Sequence, residues 1–151
     1  MHRRQHQYDY NGKKIEKIPI MKITNKEIEA VSQLEAFQRY EYFIKRVADS
    51  ERMYTLVDDN GNFAIADVES SAVLSVWSAS EFAENNAVDE WGSFSVKEIT
   101  LEEFEEDIID MIEENNWLIS VFSIKGKSGF VVDINEFAKD LSAEMQKYKY
   151  I

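Results

Sequence analysis

The chain has 151 residues, of which 44% are hydrophobic and 13% aromatic, a composition typical of a globular domain and not of a disordered chain. Its formal net charge is −12, and it contains no cysteine, which excludes disulfides, thiol nucleophiles and thiolate metal ligands. No segment reaches the roughly 18 uncharged apolar residues of a membrane span, and no apolar run follows the basic start, so we expect a soluble protein without membrane contact, located in the cytoplasm.

Charge is divided unevenly along the chain. Residues 1–26 contain seven basic and two acidic side chains, and the other residues contain ten basic and 27 acidic ones, which gives net charges of +5 and −17. A body this negative repels phosphate backbones, so we expect no nucleic-acid binding. We predict that residues 1–24 are a basic tail, either disordered or an upstream extension, because Met21 would serve as a start. Residues 25–151 are predicted to form a single domain.

The first half of the chain predicts a helical region and a hairpin. Apolar residues, Phe37 among them, recur at helical spacing on one face of residues 26–48, and Ser32 is a point at which this helix can divide. A capping-box pattern at Thr24 precedes it. The period then changes to two in RMYTLVDD and FAIADVE, and residues 59–62 between them have the composition of a tight turn. We predict that these two segments pair as a hairpin.

The second half predicts short strands and helices in mixed order. Residues 72–77 and 93–99 are predicted strands, separated by a short helix that residues 78–81 cap. Thr100 opens a helix that ends at residues 115–116, then WLISVFSI and GFVVDI predict two strands, and Asn135 is expected to cap the last helix. We therefore predict an α+β domain with a mostly antiparallel sheet of about six strands and about four helices packed on it.

Two short motifs resemble ligand-binding loops but lack essential parts of them. Gly-Lys-Ser at residues 126–128 is followed by a strand instead of a helix, and Val121 stands where a Walker-type phosphate loop needs glycine. The segment LVDDNGNFAIAD places Leu56 and Asp67 at the first and twelfth ligand positions of an EF-hand loop, and strands flank it. We interpret both motifs as turns.

The predicted domain contains no histidine, because His2 and His6 both lie in the tail. Without imidazole or thiol, Ser-His-Asp and Cys-His catalysis and the usual zinc sites are excluded. Catalysis by paired carboxylates or by lysine stays open, although the spacing reveals no such set. Whether the protein is an enzyme is therefore uncertain; a non-enzymatic role is favoured, and we expect no cofactor and no metal.

Two groups of residues are candidates for binding. One is an acidic helix face that is either simply solvated or contacts a basic protein partner, and it is formed by Glu102, Glu106, Asp110 and Glu113. The other group either packs in the core or lines a pocket for a ligand or partner, and it consists of Arg39, Tyr40, Trp77, Glu81 and Trp91.

Several motifs together resemble one known family. They are Arg39-Tyr40-Glu41-Tyr42-Phe43-Ile44-Lys45-Arg46-Val47, Val76-Trp77 before Glu81-Phe82-Ala83, Glu90-Trp91, Ile99-Thr100-Leu101-Glu102, and Val121-Phe122 followed by Gly129-Phe130-Val131-Val132. Over about residues 34–145 the chain resembles the small bacterial family called domain of unknown function 2750. The family pattern has prolines where this chain has Ser78, Ser123 and Asp133-Ile134. The resemblance implies an intracellular bacterial α+β protein without an established activity, and it supplies no catalytic residues.

Three functional hypotheses follow from these features. The favoured one is an acidic protein-interaction module, a regulator or an immunity-type binder with a basic protein partner. The alternative is a small-ligand binder or enzyme with a pocket near Arg39, Trp77 and Trp91. The third is a structural self-association module with an extended apolar patch.

Overall fold

The computed structural model describes residues 23–148, so the predicted tail lies outside the described residues except for Ile23 and Thr24. The described helices are α1 (Asn25–Ser32), α2 (Ala36–Ser50), α3 (Ser80–Asn85), α4, which runs without interruption through α-helical Leu101–Glu103, π-helical Phe104–Ile108 and α-helical Ile109–Asn115, and α5 (Ile134–Gln146). The strands are β1 (Arg52–Val57), β2 (Ile65–Val68), β3 (Ser71–Val76), β4 (Ser95–Thr100), β5 (Leu118–Val121) and β6 (Phe130–Val132), and a 3-10 turn, Asp89–Trp91, precedes β4. Within this range no helix has both the length and the apolar composition needed to cross a membrane.

The α+β class is confirmed, but the prediction of one six-stranded sheet is wrong. Strands β1 and β4 form a two-stranded antiparallel sheet, and the other four form a sheet of order β2-β3-β5-β6 in which only β3 and β5 run parallel. The two sheets meet where Tyr54 and Trp77 exchange two backbone hydrogen bonds of 2.8 Å. The chain turns into α3 after Trp77, and the Thr55 hydroxyl adds a further link between the sheets by donating to the Ser75 carbonyl at 2.7 Å.

The predicted hairpin of β1 and β2 is also wrong, although its turn is present. The Asp58 carboxylate accepts hydrogen bonds from the backbone N–H groups of Asn62 and Asn60, and these bonds, that of Asn62 first, lower the pKa of Asp58. Beyond the turn only Val57 and Phe63 pair. Strand β1 pairs along its whole length with β4, and β2 does so with β3. The partner of β1 is thus a segment distant in sequence, whereas β2 forms a tight hairpin with β3, which follows it directly through Glu69 and Ser70, both of positive φ. These two ladders take the place of the predicted hairpin.

The helix boundaries agree with the sequence at three points and differ at two. The helical region divides after Ser32, and Thr24 and Thr100 both act as N-caps through their hydroxyl groups. The last helix begins earlier than predicted, because the carboxylate of Asp133, not Asn135, accepts the capping N–H of Glu136 at 2.8 Å. Helix α3 has Ala79 at its N-cap, so no side chain caps it.

Helices α2, α4 and α5 share a buried aromatic seam in the single hydrophobic core of the described residues. The ring of Phe137 on α5 lies 5.8 Å from that of Phe43 on α2 and 5.5 Å from that of Phe104 on α4. Burying each ring stabilises the fold by about 2 to 3 kcal/mol. The apolar stripes of these helices therefore face inward, and their acidic residues are left toward solvent.

Tyr54, at the junction of the two sheets, makes stability depend on pH at alkaline values. Burial, and then the negative charge of Glu98, raises the pKa of its phenol to about 12. In the unfolded chain the phenol ionises at about pH 10. Between these values the unfolded state releases the proton and the folded state keeps it, so the free energy of unfolding falls as pH rises from about 10 to about 12.

We expect Tyr54→Phe to lose this part of the alkaline destabilisation, because phenylalanine cannot ionise. Urea unfolding of both proteins at several pH values, from neutral to about 11, measures the difference. The wild type should lose its advantage in the free energy of unfolding over the variant as pH rises above about 10. An unchanged gap across that range would contradict the raised pKa.

Candidate functional site

The five residues of the predicted pocket have different surroundings. Arg39 and Trp77 are buried, and Tyr40 is buried against α5. The Glu81 carboxylate accepts a hydrogen bond from the backbone N–H of Ile23 at 3.2 Å. Trp91 is half-buried and lines a surface cavity. The structure thus brings Trp91 to a cavity and places Arg39 and Trp77 behind one wall of it.

The guanidinium of Arg39 connects three parts of the chain through backbone carbonyls. Its Nε donates to Phe122 at 2.9 Å, Nη2 donates to Ser128 at 2.7 Å, and Nη1 donates to Leu34 at 2.6 Å. Burial lowers the pKa of Arg39, but the planar fork stays charged because three carbonyl dipoles solvate it. Residues 122–129, which we call the hairpin tip, are therefore held at both ends by one side chain.

The hairpin tip is also held by a hydrogen bond from Trp77 and by close packing around Gly129. Trp77 donates from Nε1 to the carbonyl of Ser123 at 2.7 Å. Phe122 has a left-handed φ of 65°, a strained conformation for an aromatic residue. At Gly129 an added Cβ would lie 2.6 Å from Ser120 Oγ and 2.8 Å from the Val121 carbonyl oxygen, so only glycine fits there. The hairpin tip is a packed structural element with a defined shape.

The turn predicted at Gly-Lys-Ser is confirmed, and it lies between two cavities. Gly126 has a φ of 80°, and the strand β6 follows the tip. One cavity, of about 330 Å³, lies between the tip and the 3-10 turn Asp89–Trp91. The other, of about 340 Å³, lies between the tip, α1 and α3. The residues that line both are Asn86, Ile124, Lys125 and Lys127.

The predicted acidic face is at the surface of α4. All four of its carboxylates, those of Glu102, Glu106, Asp110 and Glu113, are exposed. Across the helix from them, α4 buries apolar side chains in the core. Among residues 23–148 no three acidic, histidine or cysteine side chains are grouped so that they could hold a metal ion. The face is a surface of negative charge.

An aromatic cluster of Phe37, Tyr40 and Phe130 was missed by the sequence reasoning. The ring of Phe130 lies 5.3 Å from that of Phe37 and 4.8 Å from that of Tyr40. Phe37 was predicted on the inner helix face, but 52% of it is exposed. The prediction failed because the helix divides after Ser32, so Phe37 occupies the first turn of a new helix at the margin of the core. The predicted division of the helix at Ser32 was the one sequence feature that could have indicated the exposure of Phe37.

Carboxylates surround the cluster on the side of α5. The Tyr40 hydroxyl donates to Asp140 Oδ2 at 2.6 Å. Burial, the hydrogen bond to Asp140 and the negative charges of Asp140, Glu136 and Asp133 raise the pKa of Tyr40 well above its ordinary value. We call this combined region the Phe37 surface, and it comprises Phe37, Tyr40, Phe130, Asp133, Glu136 and Asp140.

The comparison with protein families shows to which family the chain belongs. The family described as Protein of unknown function (DUF2750) matches residues 40–141, so the chain belongs to this family, and the resemblance inferred from the sequence is confirmed. The matched range includes the hairpin tip and all of the Phe37 surface except Phe37 itself. A search of curated proteins found no match.

We expect Arg39→Met to destabilise the fold by about 3 kcal/mol or more, because it leaves three carbonyls without their donors. Arg46→Met is the matched control, since Arg46 lies on the same helix with an exposed side chain. It loses an ion pair to Glu27 and a contact over the Tyr42 ring, both at the surface, and should cost about 1 kcal/mol. Urea unfolding measures both. Equal effects would show that the Arg39 hydrogen bonds do not stabilise the fold.

A pair of glycine variants separates crowding from backbone strain in the hairpin tip. Gly126→Ala meets no atom within 4 Å and should cost about 1 kcal/mol for its positive φ alone. Gly129→Ala forces a Cβ against backbone atoms and should cost about 3 kcal/mol. Thermal or urea unfolding measures which variant is the less stable. A smaller loss of stability for Gly129→Ala than for Gly126→Ala would contradict this packing.

Proposed function

We propose that this domain is a non-enzymatic interaction module that binds a basic protein through the Phe37 surface. The observation that carries the proposal is the position of Phe37, an aromatic ring that is 52% exposed and meets Phe130 edge to face, in a cluster whose Tyr40 is influenced by the carboxylates of α5. Aromatic residues are enriched at protein interfaces, and here the exposed ring is the outer member of an aromatic cluster with Tyr40 and Phe130.

The chemistry of this surface suits lysine or arginine next to an apolar residue. An arginine or lysine of the partner can lie over the face of Phe37 and gain about 0.5 to 2 kcal/mol from cation–π attraction. Its neighbours can pair with the exposed carboxylates of Asp133 and Glu136. Because Phe130 and Tyr40 support the ring of Phe37 from behind, the aromatic part of the surface is rigid before the partner arrives.

The charge of the whole domain supports the same kind of partner. Residues 27–151 contain 27 acidic and ten basic side chains, and the acidic face of α4 carries part of this excess. Such a field attracts basic proteins and accelerates their association, and it repels nucleic acid. The cysteine-free sequence supports a reducing compartment, so we propose a bacterial cytoplasmic setting, in which the protein acts as a regulator or an immunity-type binder.

We expect Phe37→Ala to weaken binding of the partner about 30-fold, which corresponds to about 2 kcal/mol. The test captures proteins from an extract of the native bacterium on the immobilised full chain at low salt. The purified captured protein is then titrated calorimetrically against wild type and variants. We expect a basic protein whose affinity falls as ionic strength rises.

Two further variants make this test specific. Val68→Ala removes a similarly exposed apolar side chain from β2 and should leave the affinity unchanged. The double variant Glu106→Gln with Asp110→Asn removes two charges from the acidic face of α4. It should slow association about threefold, because the long-range attraction is weaker, with little effect on dissociation. An acidic partner, or a basic partner whose affinity is indifferent to Phe37→Ala, would show that this surface is not the binding site.

A second candidate function is supported by a different observation. The cavity of about 330 Å³ next to Trp91 is a groove open to solvent, and its volume lies at the low end of the range of small-ligand sites. Arg39 and Trp77 hold the hairpin tip that forms one of its walls. These contacts favour small-molecule binding as the alternative, at a site separate from the Phe37 surface.

A further inference from the structure

The two walls of the cavity next to Trp91 carry opposite charges. The hairpin tip contributes Lys125 and Lys127, and the 3-10 turn contributes Asp89 and Glu90. The Trp91 ring lines the cavity beside the acidic wall. A cavity whose cationic and anionic walls face each other favours a ligand that carries both charges, because a ligand of either sign alone leaves one wall uncompensated.

Each wall contains one residue with a left-handed backbone conformation. Asp89 has a left-handed φ of 54°, and the turn around it is so tight that a Cβ on Gly92 would lie 3.2 Å from the Asp89 carbonyl oxygen. On the opposite wall, Gly126 has a φ of 80°, and Phe122 at the base of the tip has one of 65°. Strained residues that surrounding contacts hold in place are concentrated at binding sites.

The cationic wall is also pre-organised. The hydrogen bonds of Arg39 and Trp77 to the carbonyls of the tip keep its base in one position. Lys127 Nζ donates to the carbonyl of Ser32 at 3.1 Å, on the side of the other cavity, so Lys125 is the cation that this wall offers to a ligand. Lys125 is exposed and lines the cavity next to Trp91.

We propose that this cavity binds a small zwitterion of the α-amino-acid type. Its ammonium group pairs with Asp89 and Glu90, its carboxylate pairs with Lys125, and its side chain contacts the ring of Trp91. An inorganic phosphate or a nucleotide offers no cation to the acidic wall, and a polyamine offers no anion to the lysines. A free amino acid fits within about 330 Å³, and this site shares no residue with the Phe37 surface.

The experiment titrates the full chain calorimetrically with each of the common free L-amino acids in turn. We expect at least one to bind with a Kd of about 1 mM or tighter. Its N-acetyl derivative, which lacks the ammonium, and its amide, which lacks the carboxylate, should each bind about tenfold more weakly or worse. Inorganic phosphate and spermidine, which carry one sign of charge, should bind more weakly than the amino acid.

Protein variants test the two walls separately. Asp89→Asn removes the charge and keeps a residue type that tolerates positive φ, and Lys125→Gln changes an exposed side chain, so both should fold. Each should weaken binding about tenfold. Glu84→Gln and Lys139→Gln are the matched controls, because both residues are exposed and neither lines the cavity, and they should leave the affinity unchanged.

Three results would overturn the proposal. They are the absence of binding by every amino acid up to about 10 mM, equal binding of a parent amino acid and of its N-acetyl and amide derivatives, and tighter binding of inorganic phosphate than of any amino acid. The last result would identify a simple anion site at the lysines. None of these results bears on the Phe37 surface, whose variants lie outside this cavity.

Discussion

Three backbone carbonyls from distant parts of the chain converge on one buried guanidinium, that of Arg39. One lies in the connection of α1 to α2, and the other two lie at the ends of the hairpin tip. A buried cation is costly unless polar groups surround it, and a carbonyl that loses its donor is costly as well. Each partner therefore requires the other. The position of the hairpin tip, and with it the shape of the two cavities beside it, depends on this single side chain.

The junction of the two sheets shows the same reliance on few contacts. Trp77 takes part in it twice, through its backbone with Tyr54 and through its indole Nε1 with Ser123. The residue thus joins the small sheet, the large sheet and the hairpin tip at one buried point. Because Trp77 and Arg39 hold adjacent carbonyls of the tip, they form a connected set of contacts between the core and the cavity next to Trp91.

We propose two kinds of recognition at two separate parts of the surface. On the helical side, the Phe37 surface combines an exposed ring with carboxylates and favours a basic protein. At the hairpin tip, Lys125 and Asp89 stand on opposite walls of a cavity, which favours a small ligand with both charges. Strong net negative charge supports the first by long-range attraction, whereas short-range geometry determines the second, since opposite charges in one cavity nearly cancel at a distance.

The sequence alone determined the α+β class, the division of the first helix, most helix ends and the family, because periodicity and capping residues act within a few positions of the chain. It also identified Arg39, Trp77 and Trp91 as residues of interest, since large aromatic and cationic groups rarely lie in a fold without a specific contact. Only the tertiary structure decided that β1 pairs with β4 instead of β2, that Arg39 binds carbonyls and that Phe37 is exposed. Strand pairing and burial depend on segments that are far apart in sequence and adjacent in space, and no local pattern contains that information.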